Sequence, residues 1–181
     1  MVSRSHWGQD CRLPADGRTL DKRHNQTTLR PANIEVGAME ELDAFLTSTM
    51  PQLKVAETAL HNGYASPRIA MWSHQDPVTL FGTVTTKTGW EAIRPTFDWL
   101  ASTFSNCMSA EYEVLAAGTS GDLAYVVGIE HTTASLRGGP PTSYSLRVTT
   151  IFRREDGAWK VVHRHGDPYD SPTGEVLAEL S

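Results

Sequence analysis

The C-terminal half of the chain is dominated by four runs of β-branched and aromatic residues at period two. They cover about residues 109–117, 123–136, 143–154 and 159–166, and are separated by "GTSGD", "RGGPP" and "REDG". Such alternation commits one face of each run to burial and the other to solvent or a partner. The Gly-, Pro- and Asp-rich connectors are too short for a crossover, so successive runs pair antiparallel. Whatever precedes them must supply the layer that covers the sheet.

That layer reads as helical. From Val36 onward Met39, Leu42, Phe45 and Leu46 recur at helical spacing, and Leu53, Ala56 and Leu60 continue the stripe past Pro51, a candidate break. The run stops at "HNG", where Gly63 supplies the positive φ that helix ends favour. "SPRIAMW" predicts a short second helix with Ser66 as N-cap and Pro67 in the first turn. "DPVTLFG" predicts a brief strand with "TVTT" as its hairpin partner. Trp90, Ile93, Phe97, Leu100 and Phe104 then mark a third helix, capped by Thr88 and bent near Pro95. The tail "SPTGEVLAEL" reads as a short final helix or a frayed end. The fold class expected is α+β, with helices gathered on one face of a curved antiparallel sheet that encloses a cavity.

Charge divides unevenly. Residues 1–34 carry six basic and three acidic side chains, a balance of +3, which leaves −8 for the rest of a chain whose total is −5. A body of that sign argues against a nucleic-acid partner, whose phosphates demand clustered Lys and Arg. The basic head, with scattered apolar residues and no period, reads as a flexible extension. The expected layout is therefore 1–35 as extension, 36–170 as a single domain and 171–181 as tail. Cys11 and Cys107 form no C-x-x-C pair, which predicts neither a disulfide framework nor a zinc ribbon and suits a reducing, cytoplasmic setting. No run approaches eighteen apolar residues and no secretion-type apolar region opens the chain, so neither membrane span nor export is expected.

With these elements in order, the chain resembles the nuclear transport factor 2-like superfamily over about residues 36–168, in particular its SnoaL-like, ketosteroid isomerase-like branch. The strings that carry the resemblance are "AETALHNGYASPRIAMWSHQDPVTLFG", the "GW" opening the third helix, and "RVTTIFRREDGAWKVVHRHGDP". The resemblance implies a cystatin-like roll, a curved antiparallel sheet wrapped around three N-terminal helices to form a conical cavity. It also implies a homodimer through the sheet and a small organic ligand, with no cofactor. It does not fix a reaction. Isomerase chemistry needs a carboxylate base beside a tyrosine and a neutral acid. Aligned from Gly63, those roles fall on Phe81 or Gly82, Ala56 and Thr150, none of which can perform them. Asp76 is a candidate replacement base, although an Asp before Pro77 is more often a turn or capping residue. The branch also contains the association domain of calcium/calmodulin-dependent kinase. Its register would point Tyr125, Val127 and Ile129 inward from one strand, Val148, Thr150 and Phe152 from the next, and Val162 and Arg164 from the last. Arg164 would then anchor a ligand carboxylate or carbonyl.

The last strand, "WKVVHRHGDPYD", leaves two settings open. Side chains two apart share a face, so His163 and His165 go with Val161 while Arg164 goes with Val162. The family register turns Arg164 inward. A slip by one would instead bring both histidines to the ligand as acid–base candidates. His163 and His165, extended by Asp167 or His131, could begin a metal site, but no further ligand motif supports one and none is expected. Trp72, Phe81, Trp90 and Phe97 are candidate cavity walls, against the ordinary reading of large aromatics as core. Three functions remain in play: a binding domain with an apolar cavity, an isomerase- or cyclase-type enzyme abstracting a proton beside a carbonyl, and a non-catalytic assembly module using Arg147, His163 and His165.

Overall fold

The computed structural model describes residues 31–178, with side chains at 36–170 and 172–178. The expected basic extension lies outside the described residues, apart from the backbone of its last five positions. Those five are helical: α1 runs Pro31–Leu60, starting ahead of Val36 and passing through Pro51 without a break. Side-chain donors near the proline bond carbonyls around the gap that its missing N–H leaves. Gln52 Nε2 donates to the Ser48 carbonyl at 2.8 Å and Ser48 Oγ to that of Phe45 at 3.1 Å. The helix stops as expected at Gly63, whose φ is 89°. Beyond it, Asn62 Oδ1 accepts the Cys107 backbone N–H at 3.0 Å and ties this end to the sheet.

Helix α2, Ser66–Met71, places Ser66 inside its first turn. Ala65 occupies the cap position with no side-chain bond, which corrects the expectation of a Ser66 cap. The strands β1 (Thr79–Gly82) and β2 (Thr85–Thr88) form the expected hairpin. In α3, Trp90–Thr103, the cap is Gly89 and not Thr88, and Asp76 Oδ1 accepts the Trp90 N–H at 3.0 Å. Asp76 thus sits at a helix start, where a carboxylate meets exposed N–H groups and the positive end of the helix dipole. Phe104, expected on the helix, ends it and opens β3.

Four long strands follow: β3 (Phe104–Ser120), β4 (Leu123–Leu136), β5 (Pro141–Glu155) and β6 (Ala158–Pro168). They form the expected antiparallel meander. Helix α4, Ser171–Ala178, closes the described chain, and Asp170 Oδ1 accepts the Thr173 N–H at 2.9 Å in its first turn. The sheet order is β2-β1-β6-β5-β4-β3. Because β1 pairs with β6 in parallel, the sheet is mixed and not wholly antiparallel. The register sets Leu80 opposite Arg164.

One sheet face meets the helices. Phe45, Leu53, Ala56 and Leu60 of α1 and Trp72, Ile93 and Phe97 pack with Ala124, Val126, Phe152 and Val161 in the larger apolar cluster. Phe45 contacts Phe152 and Trp159 edge-on at 5.2 Å centroid separation. A second cluster joins Phe104, Ala134, Leu136 and Tyr144 with Leu177 of α4. Together these clusters leave a space between the C-terminal end of α1, α3 and the sheet.

Candidate functional site

That space is a cavity of about 90 Å³. Its apolar lining includes Leu60, Leu80, Phe97, Leu100, Phe104, Leu146 and Leu177, contributed by three helices and three strands. Its polar lining includes Glu57, His61, Arg68, Thr96, Glu130, Thr132, Tyr144 and Arg164.

Each polar group is delivered by an element built for burial. Glu57 lies on the same α1 stripe as Leu53, Ala56 and Leu60, and His61 follows one turn later. Glu130 and Thr132 share the β4 face that holds Ala124 and Val126, and Tyr144 and Thr150 share the β5 face that holds Val148 and Phe152. Glu57, Arg68, Glu130 and Arg164 are all 8% exposed or less, so four formal charges are withdrawn from water. They pair two by two: Arg68 with Glu57, and Arg164 with Glu130 at 2.5 Å between Nη2 and Oε2. Matching each guanidinium with a carboxylate is what makes this burial tolerable, because a lone buried ion costs several kcal/mol. Burial, seconded by the charge of Arg164, lowers the Arg68 pKa to about 9, which still leaves it cationic at neutral pH. The Arg68 guanidinium also lies 5.9 Å from the Phe97 ring centroid.

The networks are incompletely satisfied. Glu130 Oε1, Arg164 Nε, Arg68 Nε and Thr150 Oγ1 are buried with no hydrogen-bond partner among the described residues. Three of the four belong to residues that line the cavity, and buried orphans of this kind are what ordered water completes.

His61 occupies the opposite wall. Its Nδ1 lies 2.8 Å from the Glu57 main-chain oxygen and its Nε2 2.5 Å from the Tyr144 hydroxyl. Burial drives the His61 pKa down to about 4, with the nearby charge of Glu130 opposing and that of Arg164 assisting. The imidazole is neutral at pH 7. Burial also raises the Tyr144 pKa well above the ordinary phenol value, and Glu130 adds to this, so the hydroxyl keeps its proton. Tyr112, against the same charges, is raised by burial and by Glu130 in the same way.

Of the residues singled out from sequence, Phe97 and Arg164 line the cavity. Val148 and Thr150 lie on the cavity-side sheet face without lining it, and Trp72 and Trp90 are packed in the larger apolar cluster. The β4 register differs by one from that expected. Ala124, Val126, Gly128 and Glu130 form the inner phase, so Tyr125, Val127 and Ile129 point away, and Tyr125 is 44% exposed with its ring against Gly118. Phe81 is also on the outer face, edge-on to His163 and His165 at 5.2 and 5.9 Å, while its neighbours Leu80 and Gly82 reach the cavity. Arg164 points inward and the two histidines outward, His163 Nδ1 lying 2.7 Å from Thr79 Oγ1. Val162, expected inward, falls at a bulge where Phe152 pairs with Val161. Asp76 bonds the start of α3 and does not line the cavity.

Glu57, His61, Arg68, Glu130 and Tyr144 were missed. The available signal was a polar residue in an apolar phase: Glu57 on the α1 stripe and Glu130 in step with Ala124 and Val126.

No functionally curated protein matches the chain. Solved structures do. A nuclear transport factor 2-like superfamily protein from Salmonella enterica serovar Typhimurium shares 15% identity at a TM-score of 0.61, covering 74% of this chain and 95% of that one. A ketosteroid isomerase-like protein from Erwinia carotovora atroseptica shares 17% identity at 0.57, over 70% and 98% of the two chains. A protein with a cystatin-like fold from Caulobacter vibrioides shares 15% identity at 0.57, over 77% and 98%. At such identities the likeness is one of fold. The SnoaL-like domain family model matches residues 54–169, from the last two turns of α1 to the end of β6, and that span contains every polar residue of the cavity wall. The chain shares the fold of these nuclear transport factor 2-like structures and belongs to the SnoaL-like domain family.

Proposed function

We propose that this domain binds a small, neutral organic molecule, its apolar body against Leu80, Phe97, Leu100 and Leu146 and its polar end at the buried charge pairs. We take the sheet and helices to close around that guest as a conical roll. The observation that carries the reading is a cavity wall in which two guanidinium groups are already matched to two carboxylates. A carboxylate ligand would have to displace Glu130 from Arg164 or add an unmatched buried negative charge. A neutral guest does neither. The excess negative charge outside the head speaks for such a ligand over a nucleic acid. If the site also turns its guest over, the acid–base groups in the wall are His61 and Tyr144 in place of His163, His165 or Asp76.

The test is titration of the isotope-labelled protein with cyclohexanol, cyclohexanone, methoxycyclohexane and cyclohexanecarboxylate, followed by amide chemical shifts. At least one neutral compound should shift the signals of Leu60, Phe97 and Tyr144. Shifts from the carboxylate alone, or from none of the four, overturn the reading.

A second reading concerns the outer sheet face, where Phe81 and Tyr125 are 36% and 44% exposed and Val127 and Ile151 add apolar surface. We propose that a second copy of the chain covers it. The variant Tyr125→Lys should lower the sedimentation coefficient at micromolar concentration; a wild-type protein that is already monomeric there removes the idea.

A further inference from the structure

The hydrogen-bond chain that ends at Tyr144 has a fixed direction. A main-chain carbonyl can only accept, so His61 Nδ1, 2.8 Å from the Glu57 oxygen, carries the imidazole proton. In the neutral ring Nε2 is then a bare lone pair, and the Tyr144 hydroxyl 2.5 Å away must donate to it. The one proton of Tyr144 is thereby committed to His61. What its oxygen offers is acceptor capacity alone. A hydroxyl oxygen has two lone pairs, and these face the wall that Thr132 also lines. The other strong donors nearby, Arg68 and Arg164, are turned to Glu57 and Glu130, and their Nε atoms are sealed from solvent.

We propose, resting on the binding reading above, that the cavity selects ligands presenting a hydrogen-bond donor, an alcohol or an N–H, to Tyr144 Oη, and discriminates against the matched ketone or ether. The burial that keeps His61 neutral holds this direction across the physiological pH range. A carbonyl oxygen placed at Tyr144 would face an acceptor and leave two lone pairs opposed. An alcohol in the same place completes the chain from ligand to Tyr144 to His61 to the Glu57 main chain.

Affinities of cyclohexanol, cyclohexanone and methoxycyclohexane for the full-length protein, from chemical-shift titration, test this. The alcohol should bind about tenfold more tightly than either analogue, the cost of a buried acceptor left without its donor. Tyr144→Phe should erase that preference while changing ketone and ether affinity by less than about twofold, since neither analogue can donate to the hydroxyl that is lost. His61→Ala should move the ratio toward the ketone, because the Tyr144 proton is then free to point at the ligand; if that variant does not fold, Tyr144→Phe decides alone. Equal affinity of the three compounds for the wild type, or an alcohol preference that survives in Tyr144→Phe, overturns the inference while leaving the binding reading intact. Failure of all three to bind removes the binding reading and this inference with it.

Discussion

Replacing Arg164 by Met would strip Glu130 of its counter-ion while roughly preserving side-chain volume. The side chains of the pair are only 10% and 9% exposed, their contact is 2.5 Å, and Glu130 Oε1 already has no partner. Nothing else among the described residues makes an ion pair with Glu130, so the variant holds an uncompensated buried carboxylate. Breaking such a pair costs about 3–5 kcal/mol. For a domain of this size about 1 kcal/mol moves Tm by roughly 2–4 °C, so a fall of about 10 °C or more is expected. Removing both charges is a different perturbation: in Glu130→Gln/Arg164→Met no buried ion is stranded, and stability should return to within about 2 kcal/mol of the parent. Urea unfolding of parent, both single variants and the double variant closes the cycle. A loss below about 1 kcal/mol in Arg164→Met would refute the reasoning, because the carboxylate would then be reaching water or another partner. So would a double variant no more stable than the single.

Three further outcomes follow from the same geometry. Burial brings the folded pKa of His61 down to about 4 from its ordinary 6.5, so between those values the unfolded chain binds the extra proton. Its contribution, roughly 3 kcal/mol at full extent, is present above pH 6.5 and lost as pH falls toward 4; urea midpoints should drop over that window in the parent and much less in His61→Gln. Gly128→Ala places a methyl group against the Glu113 carbonyl of the neighbouring strand and the Tyr112 ring, and should cost about 3 kcal/mol or more, since backbone cannot step aside as a flexible side chain can; thermal unfolding within 1 °C of the parent would contradict the close strand approach. His163→Ala and His165→Ala should leave neutral-ligand affinity within about twofold, because both side chains lie on the face away from the cavity; a tenfold loss in either would place them at the ligand.

Local chemistry made the secondary structure readable. The period-two runs, the "GTSGD" and "REDG" turns and the Gly63 stop all appear where residue type dictates them, and β4 spans the residues expected of it, 123–136. The starts of α2 and α3 were misread for a local reason that sequence proximity hides: the carboxylate bonding the start of α3 comes from Asp76, fourteen positions upstream of Trp90. The site was harder. In β4 Tyr125, Val127 and Ile129 are the more apolar set, and a charged Glu130 by residue type assigns its own phase to solvent. It is buried instead, since Arg164 on β6 meets it. Likewise Glu57 interrupts an apolar helical stripe only until Arg68 is folded against it.

By itself, then, the sequence determined the inventory of elements, their antiparallel order from β3 to β6 and the presence of Arg164 opposite a histidine-bearing face, because these rest on alternation and turn chemistry spanning a few residues. Tertiary structure alone decided which phase of β4 faces the helices, that β1 joins β6 in parallel, and that His61, Tyr144 and two charge pairs line one cavity. Those choices are made by pairing energies between groups far apart in the chain, such as His61 and Tyr144, separated by 83 positions. A buried charge or hydroxyl is allowed or forbidden only by the partner that folding brings to it.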